Sequence, residues 1–141
     1  MDNHWKERFL KVFSRNTVAE EQEFLSLVDQ VENHIDIETA RILMKSFLPK
    51  PDHGTQERVV SVLESGNKDI VVAALLEELP RLMQETPDWA EVLIGQEVDR
   101  RPEVLEEMAT KSSSTSLAAL RKLFSQKGFY ELFPNSLNLK I

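Results

Sequence analysis

The chain has 141 residues, a formal net charge of −7 and no cysteine, which excludes disulfides, thiolate catalysis and cysteine-ligated zinc and disfavours direct contact with a phosphate backbone. With 41% hydrophobic and 29% charged residues, the expectation is one globular domain over residues 1–141. No apolar run approaches the ~20 residues of a membrane span, and the charged, aromatic start "MDNHWKERFLKVF" is no signal-peptide core, so a cytoplasmic protein is expected.

In chain order, Trp5, Phe9, Val12 and Phe13 share one face of a first helix. Thr17 and Glu20 have the spacing of a capping box, opening a helix that turns Phe24, Leu27, Val28 and Val31 inward. Asp36 is placed to cap a third helix with Ile37, Ala40, Leu43, Met44 and Phe47 as its stripe. "LPKPDHG" breaks that helix, Thr55 starts a fourth, and "SGN" at 65–67 is a stop and restart. "DIVVAALLEELP" is apolar on nearly all sides; a strand is conceivable for "IVV", but the alanines, leucines and glutamates that follow favour a central helix, bent or ended by Pro80. "TPDW" reads as Thr86 at N-cap, Pro87 at N1 and Asp88 beside the positive helix end. "RPE" restarts another helix, "KSSSTS" reads as a polar linker, and a last helix carries Leu117, Leu120, Leu123 and Phe124 to a stop at Gly128. The tail "NSLNLKI" has no assigned element.

This pattern predicts an all-α protein of eight or nine helices. From residue 36 they fall into pairs, 36–47 with 55–65, 68–79 with 87–100, and 102–111 with 116–127, offset by about 32 residues. Stacked helical hairpins in a HEAT-like curved array are expected, with an irregular helical bundle as the alternative.

The charge is unevenly spread. Residues 16–40 hold seven acids and no base, and residues 77–107 hold ten acids against Arg81, Arg100 and Arg101. Such a field repels phosphate and attracts a basic partner. On the helix beginning at Pro87, Asp88, Glu91, Gly95 and Asp99 follow i, i+3, i+7 and i+11 and so line one narrow face. A mid-helix glycine costs ~1 kcal/mol relative to alanine and is often kept for a close approach, so an acidic stripe with a flat centre makes a docking surface for a basic partner. The opposing view is a solvated face, with Gly95 relieving a contact to a neighbouring helix.

"PKPDHGTQER", residues 49–58, looks most like an active-site loop. Its prolines, Asp52 and Gly54 are explained by a helix corner, which leaves His53 unexplained, with Glu57 and Arg58 as its nearest partners. A general acid–base site needs converging groups, and none is evident here. His4, His34 and His53 lack the spacing for a shared helical turn, and the adjacent acid pairs point about 100° apart, so neither a metal site nor a bound cofactor is expected.

The stretches "FLPKPDHGTQERVVSVLES" and "ALLEELPRLMQETPDWAEVLIG" resemble a family of small all-helical immunity proteins of bacterial polymorphic-toxin and contact-dependent growth-inhibition systems. The matching features are Asp52-x-Gly54, Val59-Val60-Ser61-Val62-Leu63, Leu75-Leu76-Glu77-Glu78-Leu79-Pro80 and Pro87-x-Trp89-Ala90, all within residues 44–95. His53 stands where that pattern has a large apolar or aromatic residue, and "GQEVD" where it has a basic, leucine-rich helix end. The resemblance implies a non-enzymatic protein that binds a cognate toxin domain, often a nuclease, and blocks or covers its active site. The expected toxin-binding residues are Asp88, Glu91, Gly95 and Asp99, joined by Glu57 and His53 from the region 52–64. Two other functions compete: a helical-repeat adaptor that binds a protein or peptide, and a small enzyme built on Asp52, His53 and Glu57.

Overall fold

The apolar spacing of the chain is helical almost throughout, and most of its turn residues, though not Pro80 or Gly128, fall where helices stop. The computed structural model describes residues 1–51 and 54–141, and these form nine α-helices and a short 3-10 helix, with no strand among them. The helices are α1 (Asn3–Lys11), α2 (Val18–Gln30), α3 (Ile37–Lys45), α4 (Thr55–Leu63), α5 (Lys68–Glu85), α6 (Pro87–Arg100), α7 (Pro102–Lys111), α8 (Ser114–Ser125) and α9 (Lys127–Leu132); Pro134–Asn138 is the 3-10 turn. The all-α expectation, with its helix number, holds for these residues.

Several starts are fixed by side chains that satisfy otherwise orphaned N–H groups. Asp2 accepts from the Trp5 N–H at 2.9 Å, Thr17 from Glu20 at 3.1 Å, Asp36 from Thr39 at 2.8 Å, and Ser113 from Ser116 at 3.1 Å. Asn67 restarts the chain after "SG" by accepting from Asp69 and Ile70. Gly54 holds a left-handed φ of +86° at the start of α4, a conformation that a side chain would strain.

The structure corrects the sequence at specific points. The favoured helix over "IVV" holds, since it lies in α5, but Pro80 does not end that helix, which continues to Glu85. Thr86 precedes α6 as expected, but its buried side chain makes no capping bond. "KSSSTS" is no linker: Lys111 ends α7 and Ser112 follows as its C-cap, while Ser113 caps α8 and Ser114, Thr115 and Ser116 open it. Gly128 lies inside α9 and does not end α8, because Phe129 must return its ring to Phe124, stacked at 5.5 Å. In the unassigned tail, "NSLN" belongs to the 3-10 turn.

The chain divides into two compact units, Met1–Val71 and Val72–Ile141, the division falling after the first turn of α5. In the first, α2 packs most closely on α4, and α3 on α4. Its core is aromatic: Trp5 stacks on Phe9 at 5.0 Å, Phe9 meets Phe24 at 4.9 Å, and the Trp5 indole N–H donates to the Leu27 carbonyl at 2.9 Å. The buried Arg15 lays its guanidinium 4.3 Å from the Phe24 ring centre and donates to the Ser46 carbonyl at 3.1 Å. In the second unit the closest approaches are α6 with α7, α8 with α9, and the 3-10 turn with both α9 and α6. These pairs are displaced by one helix from the hairpins predicted for this half. Its core is built from Leu75, Leu76, Leu79, Leu82, Ile94 and Phe129, all fully buried.

Candidate functional site: the outer face of α6

Opened by Pro87 after Thr86 and closed by Arg101, α6 buries Ala90, Leu93, Ile94 and Val98. That packing fixes the opposite arc, where Asp88 and Asp99 are exposed and Glu91 is half-buried. Trp89, one helical step away, is half-buried rather than part of the core. The three acids share a face as their spacing requires.

Gly95, at the centre of that face, is buried. A Cβ placed on it would stand 2.2 Å from Cζ of Phe133 and 2.4 and 2.5 Å from the ring's Cε atoms. The glycine is therefore the seat of an aromatic ring, and the flat centre expected from sequence is filled by the chain itself. Phe133 ends a ladder in which Phe129 stands 5.1 Å away and Phe124 stacks behind it. Beyond the ring, the Asn135 amide reaches Asp99 at 3.5 Å. The same C-terminal segment carries Leu132 and Leu137, exposed to 64% and 66%. The surface is thus an aromatic centre with carboxylates around it, and sequence reasoning missed the residues that supply the centre. The visible signal was the aromatic series Phe124, Phe129, Phe133, hidden by reading Gly128 as a stop.

Charge pairing separates these acids from their neighbours. Glu97 is buried and held by Arg101 at 2.6 Å, Glu78 and Glu85 share Arg81, and Glu107 pairs with Lys111 at 3.4 Å. No ion pair among the described residues reaches Asp88, Glu91 or Asp99. In the first unit, by contrast, Glu23 pairs with Arg8, Glu38 with Lys6, and both Asp29 and Glu32 with Arg58, whose guanidinium they hold above its ordinary pKa. Glu21 accepts from the Thr55 hydroxyl at 2.7 Å. Asp36 is lowered to about 2, chiefly by the Thr39 backbone N–H and then by the Thr39 hydroxyl.

Of the remaining predicted residues, Glu57 is exposed on α4 in the first unit, and His53, with Asp52, lies outside the described residues. Asp88, Glu91, Gly95 and Asp99 are brought together on α6; Glu57 belongs to a different helix of a different unit. Among the described residues no group of three His, Asp or Glu side chains is arranged to hold a metal ion, and no helix is long and apolar enough to cross a membrane. No family model, curated protein or solved structure matches the chain, so the α6 face stands on its own geometry.

Proposed function

We propose that this chain is an immunity protein: it binds a cognate toxin domain, a basic nuclease, in the cytoplasm and blocks its active site or its access to substrate, catalysing no reaction itself. The observation that carries this reading is the set of carboxylates on α6, Asp88, Glu91 and Asp99, that no base among the described residues pairs with, on the face where Phe133 seats on Gly95. A nuclease domain must be basic to hold phosphate, and complementary charge speeds encounter, while a few aromatic or apolar anchors hold the complex once formed. Glu57 and His53 stay with the proposal as expected toxin-binding residues, separate from the α6 set.

Co-expression and co-purification with the toxin domain encoded beside this gene tests it. The expected result is a stoichiometric complex and survival of cells that make both chains. Replacing Asp88, Glu91 and Asp99 together by lysine is expected to slow association at least tenfold, with a flattened salt dependence. Absence of both binding and protection sinks the reading; an unchanged association rate moves the interface off α6.

A further inference from the structure

The apolar part of the α6 face comes from a different segment, within the same unit. The stretch 133–135 is pinned to α6 at two points: the Phe133 ring sits on Gly95, and the Asn135 amide reaches Asp99 at 3.5 Å. The Ser136 N–H donates to the Phe133 carbonyl at 3.0 Å, so the chain turns tightly where it is pinned. Leu132 stands just before this stretch and Leu137 just after the turn begins, both exposed. On α6, Val92 lies three residues before Gly95 and so neighbours the seat of Phe133, and it too is exposed. Six large apolar side chains are exposed among the described residues; Met1, Leu10 and Val18 belong to the first unit, and Val92, Leu132 and Leu137 are the rest. Single exposed apolar residues are ordinary, but three on segments pinned to one another mark an interaction surface.

Charge decides what covers it. Residues 86–99 hold no base, and of their four acids the buried Glu97 is taken by Arg101. Asp88, Glu91 and Asp99 enter no ion pair among the described residues. Residues 127–139 add one base and one acid, Lys127 and Glu131, which pair with each other at 3.7 Å. Arg100 is the last residue of α6 and Lys140 lies beyond the 3-10 turn, and neither pairs with the three acids. The surface is therefore apolar and acidic together. It repels an anionic membrane or a phosphate backbone, and a second copy laid face to face would set three unpaired carboxylates against three.

We infer that Leu132 and Leu137, with Val92 and Phe133, are the apolar anchor by which the α6 face holds its partner, a protein surface that carries apolar side chains between lysines or arginines. The partner's identity, a basic toxin domain, rests on the immunity reading. The work is divided: Asp88, Glu91 and Asp99 govern how fast the complex forms, and the leucines govern how long it lasts.

Binding kinetics of the full chain with the toxin domain encoded beside its gene test this. Leu132→Ser combined with Leu137→Ser is expected to raise the dissociation rate at least tenfold and to leave association within about twofold. Leu132→Met with Leu137→Met should dissociate like the wild type. Val18→Ser, at a still more exposed apolar residue of the first unit, should change neither rate. Both leucines are exposed, so the urea midpoints of these variants should match the wild type and show that the loss is local. A smaller rise in dissociation, or the same rise in Val18→Ser, overturns the anchor and leaves the immunity reading standing. Absence of any complex removes both. Self-association of the chain that the paired serine variant abolishes puts a second copy on this face, and it overturns the anchor equally.

Discussion

In the first unit, the acids of residues 16–40 meet bases carried by α1 and α4: Arg8 finds Glu23, Lys6 finds Glu38, and Arg58 bridges Asp29 and Glu32. In the second unit the buried Glu97 takes the nearest base, Arg101, and Asp88, Glu91 and Asp99 are passed over. Along the sequence the two stretches look alike, each acid-rich and nearly base-free. Folding distinguishes them, because the bases that neutralise the first stretch come from segments 15 to 32 residues away. A local charge count therefore overstates the field of the first unit, and in the second it holds for Asp88, Glu91 and Asp99 but not for Glu78, Glu85, Glu97 and Glu107, which are paired.

The sharpest way to break the comparison is to damage each core. Phe24→Ala removes the ring that packs on Phe9 and lies under Arg15, and about 3–5 kcal/mol of stability should go with it, read from the midpoint of urea unfolding. In the second unit, Arg101→Ala leaves the Glu97 carboxylate, 7% exposed, without its partner; a loss of about 3 kcal/mol is expected by the same measurement. Lys6→Ala, which removes an exposed pair of the first unit, should cost under about 1 kcal/mol, so the two pairs differ as burial dictates.

Gly95→Ala forces a Cβ into the Phe133 ring. Overpacking of about 1–3 kcal/mol should outweigh the ~1 kcal/mol gained in helix propensity, giving net destabilisation and faster trypsin cleavage after Lys127. Asp36→Ala is expected to cost about 1 kcal/mol from the lost cap of α3. It carries a pH signature. Folded Asp36 keeps its charge down to about pH 2, whereas the unfolded chain takes the proton near pH 4. The contribution is therefore complete above about pH 4 and disappears as pH falls to 2, where wild type and variant should converge.

Much of the local architecture was legible because it rests on local chemistry. Thr17, Asp36 and Pro87 mark helix starts by capping and preset φ, and the core stripes follow the helical period. What escaped was decided by tertiary contacts. Pro80 reads as a bend or an end, yet α5 runs on through it with Leu79 and Leu82 both buried. Gly128 reads as a stop, yet the stacking of Phe124 on Phe129 requires a helix there. Gly95 was correctly singled out as a close approach, but nothing in its own neighbourhood names Phe133, 38 residues on, as the group approaching. The acids of the α6 face were legible; the aromatic centre they surround was not.

The chain's two tryptophans fall one in each unit, Trp5 within the first aromatic core and Trp89 half-buried beside the acidic face. Nature has thereby supplied two intrinsic fluorophores with different surroundings. Trp5, dry and hydrogen-bonded to a carbonyl, should emit at shorter wavelength than Trp89. With Trp5→Phe and Trp89→Phe in hand, the emission of a single indole follows each unit through denaturation. Coincident curves mark one cooperative transition and separated curves two. A toxin or peptide that quenches one indole and spares the other reveals, from a cuvette, which half of the molecule it has touched.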